Sequence, residues 1–146
     1  MNVNDETKEW MTADYTRLSK EDGDKEESDS INNQKALIQH YTESHPELRL
    51  VKHYSDDGYT GVNFNRPGFQ KMLEGIKDGQ INCIIVKDLS RFGRNYIEVG
   101  RYVERIFPTL GIRFIVINDN YESIYKNSSS DQILLPFKNL INDDYR

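Results

Sequence analysis

Apolar residues recur along the chain with two periodicities, one typical of strands and one typical of helices, and the two alternate. The segments Thr12 to Leu18 and Leu48 to Tyr54 alternate between apolar and polar positions, which is typical of strands. Cys83 to Val86 is a continuous apolar run rich in β-branched residues, as expected of a strand buried on both faces. Ile112 to Ile117 has the same character and predicts a fourth buried strand.

Helical spacing of apolar residues fills the intervals between these strands. The first predicted helix is capped by Ser30 and ends at His45-Pro46, the second begins with Pro67 and stops at Gly79, and the third ends between Pro108 and Gly111. Their predicted inward residues are Ile31, Leu37, Ile38 and Tyr41, then Phe69, Met72, Leu73 and Ile76, then Tyr96, Val99, Val103, Ile106 and Leu110. Strands that alternate with helices form parallel βαβ units, so the pattern predicts an α/β sheet with helices on both faces.

Polar segments complete the predicted organisation. Residues 1–11 are expected to form a flexible tail, the charge-dense residues 20–29 a mobile loop, and residues 55–61 a turn-rich loop. Residues 119–130 are predicted to be polar and mobile, with Asp131 as the cap of a last helix. That helix places Ile133, Phe137, Leu140 and Ile141 on one face. It either packs on its own domain or a partner, or is the start of a longer helix that has been cut.

The composition limits the class of protein but does not identify its chemistry. A chain of 146 residues with 36% hydrophobic and 29% charged residues is expected to form one globular domain. No apolar run is long enough to span a membrane and no signal peptide is evident, so a cytoplasmic protein is expected. The single cysteine, Cys83, lies in an apolar run and is expected to be an inert buried thiol. A net charge of −5 does not favour strong DNA binding by this chain alone.

Chemistry-bearing residues follow the third predicted strand directly. Lys87, Asp88, Ser90, Arg91 and Arg94 lie where the carboxyl end of that strand should be, which is the edge where ligands bind in open α/β sheets. If a helix begins near Arg91, the two guanidiniums face the same way and suit an anion such as phosphate. The alternative is that both arginines are solvated surface charges at a helix start.

Other strand ends bring further polar residues to the same edge. Arg17 and Ser19 follow the first strand, and Arg66 lies beyond the loop after the second. A serine hydroxyl must be activated to act as a nucleophile, and nearby arginines favour its anion and stabilise a phosphoryl group in transfer. The chain's three histidines are scattered without ligand spacing. The residues therefore suggest phosphoryl transfer in which guanidiniums do what metals do elsewhere.

Four short motifs, in order, resemble a known family. They are the segments Tyr15 to Ser19, Ser30 with Gln34, Asp57 to Gly61 followed by Arg66-Pro67-Gly68, and Val86 to Asn95. Together they resemble the catalytic domain of serine recombinases, the resolvase and invertase superfamily, in the form found in the large enzymes of transposons and phages. The resemblance runs from about Thr12 to Asp143.

The resemblance implies a fold, a mechanism and a set of site residues. The fold would be a three-layer resolvase-like catalytic domain over residues 12–130, with a mainly parallel sheet of four to five strands flanked by helices. Residues 131–146 would start a long, truncated interface helix. Ser19 would attack a DNA phosphodiester to give a 5′-phosphoseryl link and a free 3′-hydroxyl, without a metal or other cofactor. The implied phosphate ligands are Arg17, Arg66, Arg91 and Arg94, and the secondary candidates are Gln34, Lys87 and Ser90.

The resemblance also implies partners. These are double-stranded recombination sites, bound mostly by C-terminal domains beyond this chain, and a homodimer that forms a synaptic tetramer. The expected location is the bacterial cytoplasm, on the nucleoid when DNA is bound. Two other functions stay open: a non-catalytic assembly module in this truncated form, and an enzyme of similar fold acting on a small phosphate ester.

Three positions leave structural questions open. Ser90 stands where small resolvases carry an aspartate, so no acid role is placed there. Asp14 stands where an apolar residue is usual, and an unpaired buried carboxylate is costly, so the first strand is expected to be partly exposed or altered in its pairing. Gln34 lies on the apolar face of its helix and is either hydrogen-bonded near the site or at the edge of the stripe.

Overall fold

A five-stranded sheet forms the centre of the protein. The computed structural model describes residues 9–19, 30–125 and 128–144. The strands are β1 (Trp10–Leu18), β2 (Leu48–Asp57), β3 (Cys83–Val86), β4 (Arg113–Val116) and β5 (Tyr121–Glu122), in the spatial order β2-β1-β3-β4-β5. The first four run parallel and β5 pairs antiparallel with β4. The predicted α/β class and mainly parallel sheet are confirmed.

Helices cover both faces of this sheet. They are α1 (Ile31–Glu43), α2 (Pro67–Lys77), α3 (Leu89–Phe92), α4 (Tyr96–Arg101), a π-helical turn (Tyr102–Ile106), α5 (Phe107–Leu110) and α6 (Asp131–Asp144). The predicted cap of α1 is confirmed, because the Ser30 hydroxyl accepts a hydrogen bond from the Asn33 amide at 3.1 Å. Pro67 begins α2 as predicted.

Two apolar clusters hold these layers together. The larger one lies between the sheet and α2 to α6 and is dominated by aromatic rings, among them Phe69, Phe92, Phe107 and Phe114. The smaller one lies on the α1 side, where Ile38 packs with Trp10, Leu48, Cys83, Ile85 and Ile115. Because β3 contributes alternate residues to the two clusters, it is buried on both faces as its continuous apolar run predicts.

The first two strands are longer than predicted. β1 begins at Trp10, so Trp10 and Met11 belong to the sheet and not to a tail, whereas residues 1–8 and the acidic segment 20–29 lie outside the described residues. β2 extends to Asp57, so the prediction of a loop from Ser55 was wrong. Turn-forming residue types did not prevent strand formation there because β1 supplies a parallel ladder up to Leu18.

A π-helical turn changes which residues face inward after α4. The Phe107 amide donates to the carbonyl of Tyr102, five residues back, whereas an α-helix would use the carbonyl four residues back. The next residue, Pro108, has no amide hydrogen with which to continue an α-helical pattern. The extra residue in this turn rotates the following side chains, so Phe107 is buried and Leu110 is 56% exposed. The prediction that Leu110 faces the core was therefore wrong.

The C-terminal region also differs from its predictions. Tyr121 and Glu122 form a buried edge strand within the segment predicted to be polar and mobile, where residues 126–127 are outside the described set. Asp131 is the first residue of α6 and not its cap. On α6, Leu134 is buried while Leu140 is 53% exposed, so the predicted inward face was wrong at Leu140.

Asp14 is fully buried in β1 and paired across the sheet. Its carboxylate contacts His53 Nδ1 on β2, so the expectation that this strand is partly exposed was wrong. The pairing is altered next to it, because Thr12 lies opposite Leu50 while Ala13 lies opposite Lys52, which leaves Val51 as a bulge. Burial raises the pKa of the Asp14 carboxyl, and the hydrogen bond and charge of His53 oppose that rise.

Candidate active site

The end of the short helix α3 organises the candidate site. A helix leaves its last carbonyls without intrahelical partners, and α3 resolves this with arginine side chains. Arg17 donates from Nη2 to the Ser90 carbonyl at 2.7 Å and from Nε to the Arg91 carbonyl at 3.2 Å. Arg66 donates from Nη2 to the Phe92 carbonyl at 2.9 Å. Guanidiniums from two distant parts of the chain therefore converge on three consecutive carbonyls, at the negative end of the helix dipole.

The Arg91 side chain in turn binds the backbone of β1. Its Nη1 donates to the Arg17 carbonyl at 2.9 Å, so the two arginines are linked in both directions. Gln34 of α1 fixes the same point of the backbone, because its Nε2 donates to the Arg17 carbonyl at 3.0 Å and its Oε1 accepts from the Arg17 amide at 3.3 Å. Of the two alternatives for Gln34, the hydrogen-bonded one is therefore correct.

Arg66 is held by a buried polar chain. Its Nη1 donates to the Tyr15 hydroxyl at 2.6 Å, and that hydroxyl donates to Asp56 Oδ2 at 2.7 Å. Asp56 also accepts from the amides of Gly68 and Phe69 at the start of α2, at 2.7 and 2.9 Å. Burial raises the pKa of Tyr15 and lowers the pKa of Arg66, since it disfavours both charged forms.

The fourth arginine is placed differently from the prediction. Helix α3 ends at Phe92, so Arg91 and Arg94 do not share one helical face. The main-chain amide of Arg94 donates to the Gly61 carbonyl at 2.7 Å, and its half-buried side chain lies beside the segment that follows β2. Three of the four predicted arginines, Arg17, Arg66 and Arg91, are buried together, and Arg94 borders them.

The candidate nucleophile and the secondary residues lie at the same edge of the sheet. Ser19 directly follows β1, two residues beyond Arg17, and is 6% exposed. The Ser90 hydroxyl donates to Asp88 Oδ1 at 2.5 Å, while Asp88 caps α3. Lys87 is half-buried just after β3, and its carbonyl accepts from the Asn118 amide at 2.9 Å.

Sequence reasoning missed the residues that support the arginines. Tyr15 lies two positions before Arg17 and therefore on the same face of β1, which was an available signal. Asp56 gave no such signal, because it lies among residue types that are typical of turns. The carbonyls of Tyr59 and Asn63, which accept from Arg17 and Arg66, belong to the main chain and leave no trace in residue type.

The three buried arginines are of the residue type that binds anions such as phosphate. The guanidiniums present planar N–H donors, a geometry that matches the oxygens of a phosphate group. Among the described residues, no group of three or more His, Cys, Asp and Glu side chains is placed to hold a metal ion. No helix in the described ranges has the length and apolar character needed to cross a membrane. A cavity of about 570 Å³ lies at the opposite edge of the sheet, near Trp10 and Arg113, away from these arginines.

Comparisons with known proteins agree with this architecture. A family model described as the resolvase N-terminal domain matches residues 12–146. No curated protein sequence matches the chain. Among solved structures, the N-terminal catalytic domain of TP901-1 integrase is similar with a TM-score of 0.72 at 22% identity, covering 92% of this chain and 96% of that one.

Two further structures show the same likeness. A resolvase family site-specific recombinase from Streptococcus pneumoniae has a TM-score of 0.69 at 26% identity, covering 94% of this chain and 91% of that one. The C-terminal catalytic domain of ISC1926 TnpA, an IS607-like serine recombinase, has a TM-score of 0.61 at 18% identity, covering 92% and 82%. At these identities the first and third likenesses concern the fold alone.

Proposed function

This chain belongs to the resolvase family, and from that membership we propose that it is the catalytic part of a site-specific DNA recombinase whose nucleophile is Ser19. The observation that carries the proposal is the convergence of Arg17, Arg66 and Arg91 at the end of α3, on the sheet edge where Ser19 leaves β1. Guanidiniums gathered around a strand end that carries a hydroxyl supply positive charge that stabilises a phosphoryl group in transfer.

The proposed reaction exchanges one phosphate ester for another. A bond forms between Ser19 Oγ and the phosphorus of a DNA phosphodiester, and the bond between that phosphorus and the 3′-oxygen breaks. The serine hydroxyl loses its proton and the 3′-oxygen gains one, which leaves a 5′-phosphoseryl link and a free 3′-hydroxyl. Because the number of phosphate ester bonds is unchanged, a 3′-hydroxyl from another strand can reverse the step without an energy source or a cofactor.

Arg17, Arg66, Arg91 and Arg94 are assigned to the scissile phosphate. The first three are buried, so their charge acts through little solvent and is worth more than at the surface. In the described state Arg17 and Arg66 donate to main-chain carbonyls and to Tyr15. Binding of the phosphate therefore exchanges some of these acceptors for phosphate oxygens. Gln34 and the Ser90 carbonyl are assigned a positioning role through Arg17.

DNA and further copies of the chain are the proposed partners. The net charge of −5 indicates that this chain contributes little of the DNA affinity, which we assign to parts of the protein beyond it. Leu135 and Leu140 are 55% and 53% exposed on α6, and they support self-association through that helix into a dimer and a synaptic tetramer. The proposed place of action is the bacterial cytoplasm, on DNA.

Trapping of the covalent intermediate tests the proposal. The complete protein is incubated with a nicked duplex that carries its recombination site, in the presence of EDTA, and the phosphoseryl adduct is located by mass spectrometry. The expected adduct is on Ser19, and Ser19→Ala abolishes it. An adduct on another residue refutes the assignment of Ser19. Site-dependent assembly without any adduct favours an assembly module, and turnover of p-nitrophenyl phosphate without DNA favours a small phosphate-ester enzyme.

A further inference from the structure

The segment between β2 and α2 contacts three of the four arginines through its main chain. The carbonyls of alternate residues are used: that of Tyr59 accepts from Arg17 Nη1 at 3.0 Å and that of Asn63 accepts from Arg66 Nε at 2.9 Å. Between them, the Gly61 carbonyl accepts from the amide of Arg94 at 2.7 Å. This segment therefore holds together three arginines that are far apart in the sequence.

Gly61 lies at the centre of this segment in a place with no room for a side chain. A Cβ at this position would lie 2.8 Å from Arg17 Nη2 and 2.9 Å from Arg94 Cγ, closer than real Cβ contacts. The backbone of Gly61 does not require glycine, since its φ is outside the left-handed region that Gly58 occupies at +88°. The requirement is one of space between two arginine side chains.

We propose that Gly61 is a positioning residue of the recombination site, because its missing side chain lets the Arg17 guanidinium and the Arg94 side chain lie against the same backbone. This inference rests on the proposed function for its catalytic consequence. The two arginines do not respond equally to an added methyl group. Arg17 is fully buried and its guanidinium is tied to the carbonyls of Ser90 and Arg91, whereas Arg94 is only half-buried. A methyl group at position 61 therefore displaces chiefly Arg94.

Gly61→Ala tests this, with two matched controls. Gly100→Ala adds the same methyl group on α4, where the nearest atom, Glu104 Oε1, is 3.9 Å away. Val62→Ala changes the neighbouring position, whose side chain is 47% exposed. The first readout uses the complete protein and the nicked recombination-site duplex. Gly61→Ala is expected to slow phosphoseryl formation by about 100-fold, the usual effect of a misplacement of about 1 Å, while the affinity in a gel shift stays within about twofold and both controls match wild type.

The second readout does not depend on catalysis. In ¹H–¹⁵N spectra of the labelled chain, Gly61→Ala is expected to shift the amide of Arg94 and the Nε–H of Arg17, and the controls leave both signals in place. Wild-type cleavage by Gly61→Ala, or unmoved arginine signals, overturns the inference. If wild type itself forms no adduct, the proposed function fails, and the spectra still decide whether Gly61 positions the arginines.

If Gly61→Ala does not fold, the double variant Gly61→Ala/Arg94→Ala tests the inference. Arg94→Ala removes one of the two side chains that the new methyl group would meet, so it is expected to restore folding in the double variant. The Nε–H signal of Arg17 is then compared between Arg94→Ala and Gly61→Ala/Arg94→Ala. A double variant that folds with an unmoved Arg17 signal contradicts crowding at position 61. One that stays unfolded agrees with crowding, because the new methyl group still meets the buried Arg17 guanidinium.

Discussion

Arg17 and Arg91 hold each other's backbone at the carboxyl edge of the sheet. Arg17 Nε donates to the Arg91 carbonyl at 3.2 Å, and Arg91 Nη1 donates to the Arg17 carbonyl at 2.9 Å, across a separation of 74 residues in sequence. Both side chains are almost completely buried. The geometry of either guanidinium therefore depends on the other.

Arg91→Lys is expected to be a severe change although it keeps the charge. A lysine ammonium lacks the planar fork and does not bind the Arg17 carbonyl and a phosphate oxygen with the same geometry. We expect phosphoseryl formation by the complete protein to fall by about 100-fold to 1,000-fold, as for loss of one donor to a transition state. Arg101→Lys is the control, because Arg101 forms an exposed pair with Glu98 at 3.5 Å. A cleavage rate near wild type in Arg91→Lys would contradict the assigned role.

Asp56→Asn is expected to weaken both the fold and the site. Each carboxylate oxygen of Asp56 accepts an amide of α2, and Oδ2 also accepts the Tyr15 hydroxyl that contacts Arg66. An asparagine presents an N–H group to one of these donors. The free energy of unfolding in urea is expected to fall by about 1–3 kcal/mol. Asp57→Asn is the stability control, since the Asp57 side chain is exposed, and equal losses in both variants would refute the network.

The raised pKa of Asp14 is expected to make the free energy of unfolding depend on pH. Burial raises the pKa of this carboxyl above the 3.8 expected when unfolded, so the folded state binds more protons than the unfolded state between the two values. The stability contribution is present below pH 3.8 and is lost as pH rises through the folded pKa. The free energy of unfolding of wild type minus that of Asp14→Asn is therefore expected to fall with rising pH. A difference that is flat, or that rises with pH, would show that the His53 contact outweighs burial.

The buried pair of Arg113 and Glu122 is expected to support the edge of the sheet. Arg113 donates from Nε to Glu122 Oε2 at 3.0 Å and from Nη2 to Oε1 at 2.5 Å, and both residues are buried. Glu122→Gln leaves the guanidinium one carboxylate, that of Glu47, whose Oε2 lies 3.1 Å from Nη2. The loss of the hydrogen bonds to Glu122 is expected to lower the free energy of unfolding by about 1.5–3 kcal/mol. Glu98→Gln, in an exposed pair, is expected to cost below about 1 kcal/mol. Similar costs in the two variants would contradict this account.

Cys83 is expected to be unreactive in the folded protein. Burial raises the pKa of its thiol to about 12, and the side chain has no exposed surface. Alkylation by iodoacetamide at pH 8, followed by mass spectrometry, is expected to be at least about 100-fold slower than in urea-unfolded chain. Rapid modification of the folded protein would show that β3 opens readily.

Local patterns in the sequence were sufficient for the architecture. The apolar run of β3, the cap at Ser30 and the start of α2 at Pro67 are each encoded by a few neighbouring residues, and all three are confirmed. Their alternation with apolar helices fixes a parallel α/β sheet, because parallel strands need crossovers. The carboxyl ends of these strands then lie at one edge, so the gathering of Arg17, Arg66 and Arg91 follows from chain order.

Only the tertiary structure decided how those arginines are held. Arg17 binds carbonyls 73 and 74 residues away, and Arg66 depends on a tyrosine 51 residues away. Main-chain acceptors such as those of Ser90 and Phe92 carry no signature in residue type, and the space that Gly61 leaves open exists only once two distant side chains meet there. The structure also explains why two predictions near the C-terminus were wrong. The π-helical turn rotates Leu110 out of the core, and a buried ion pair with Arg113 holds Glu122 in the sheet.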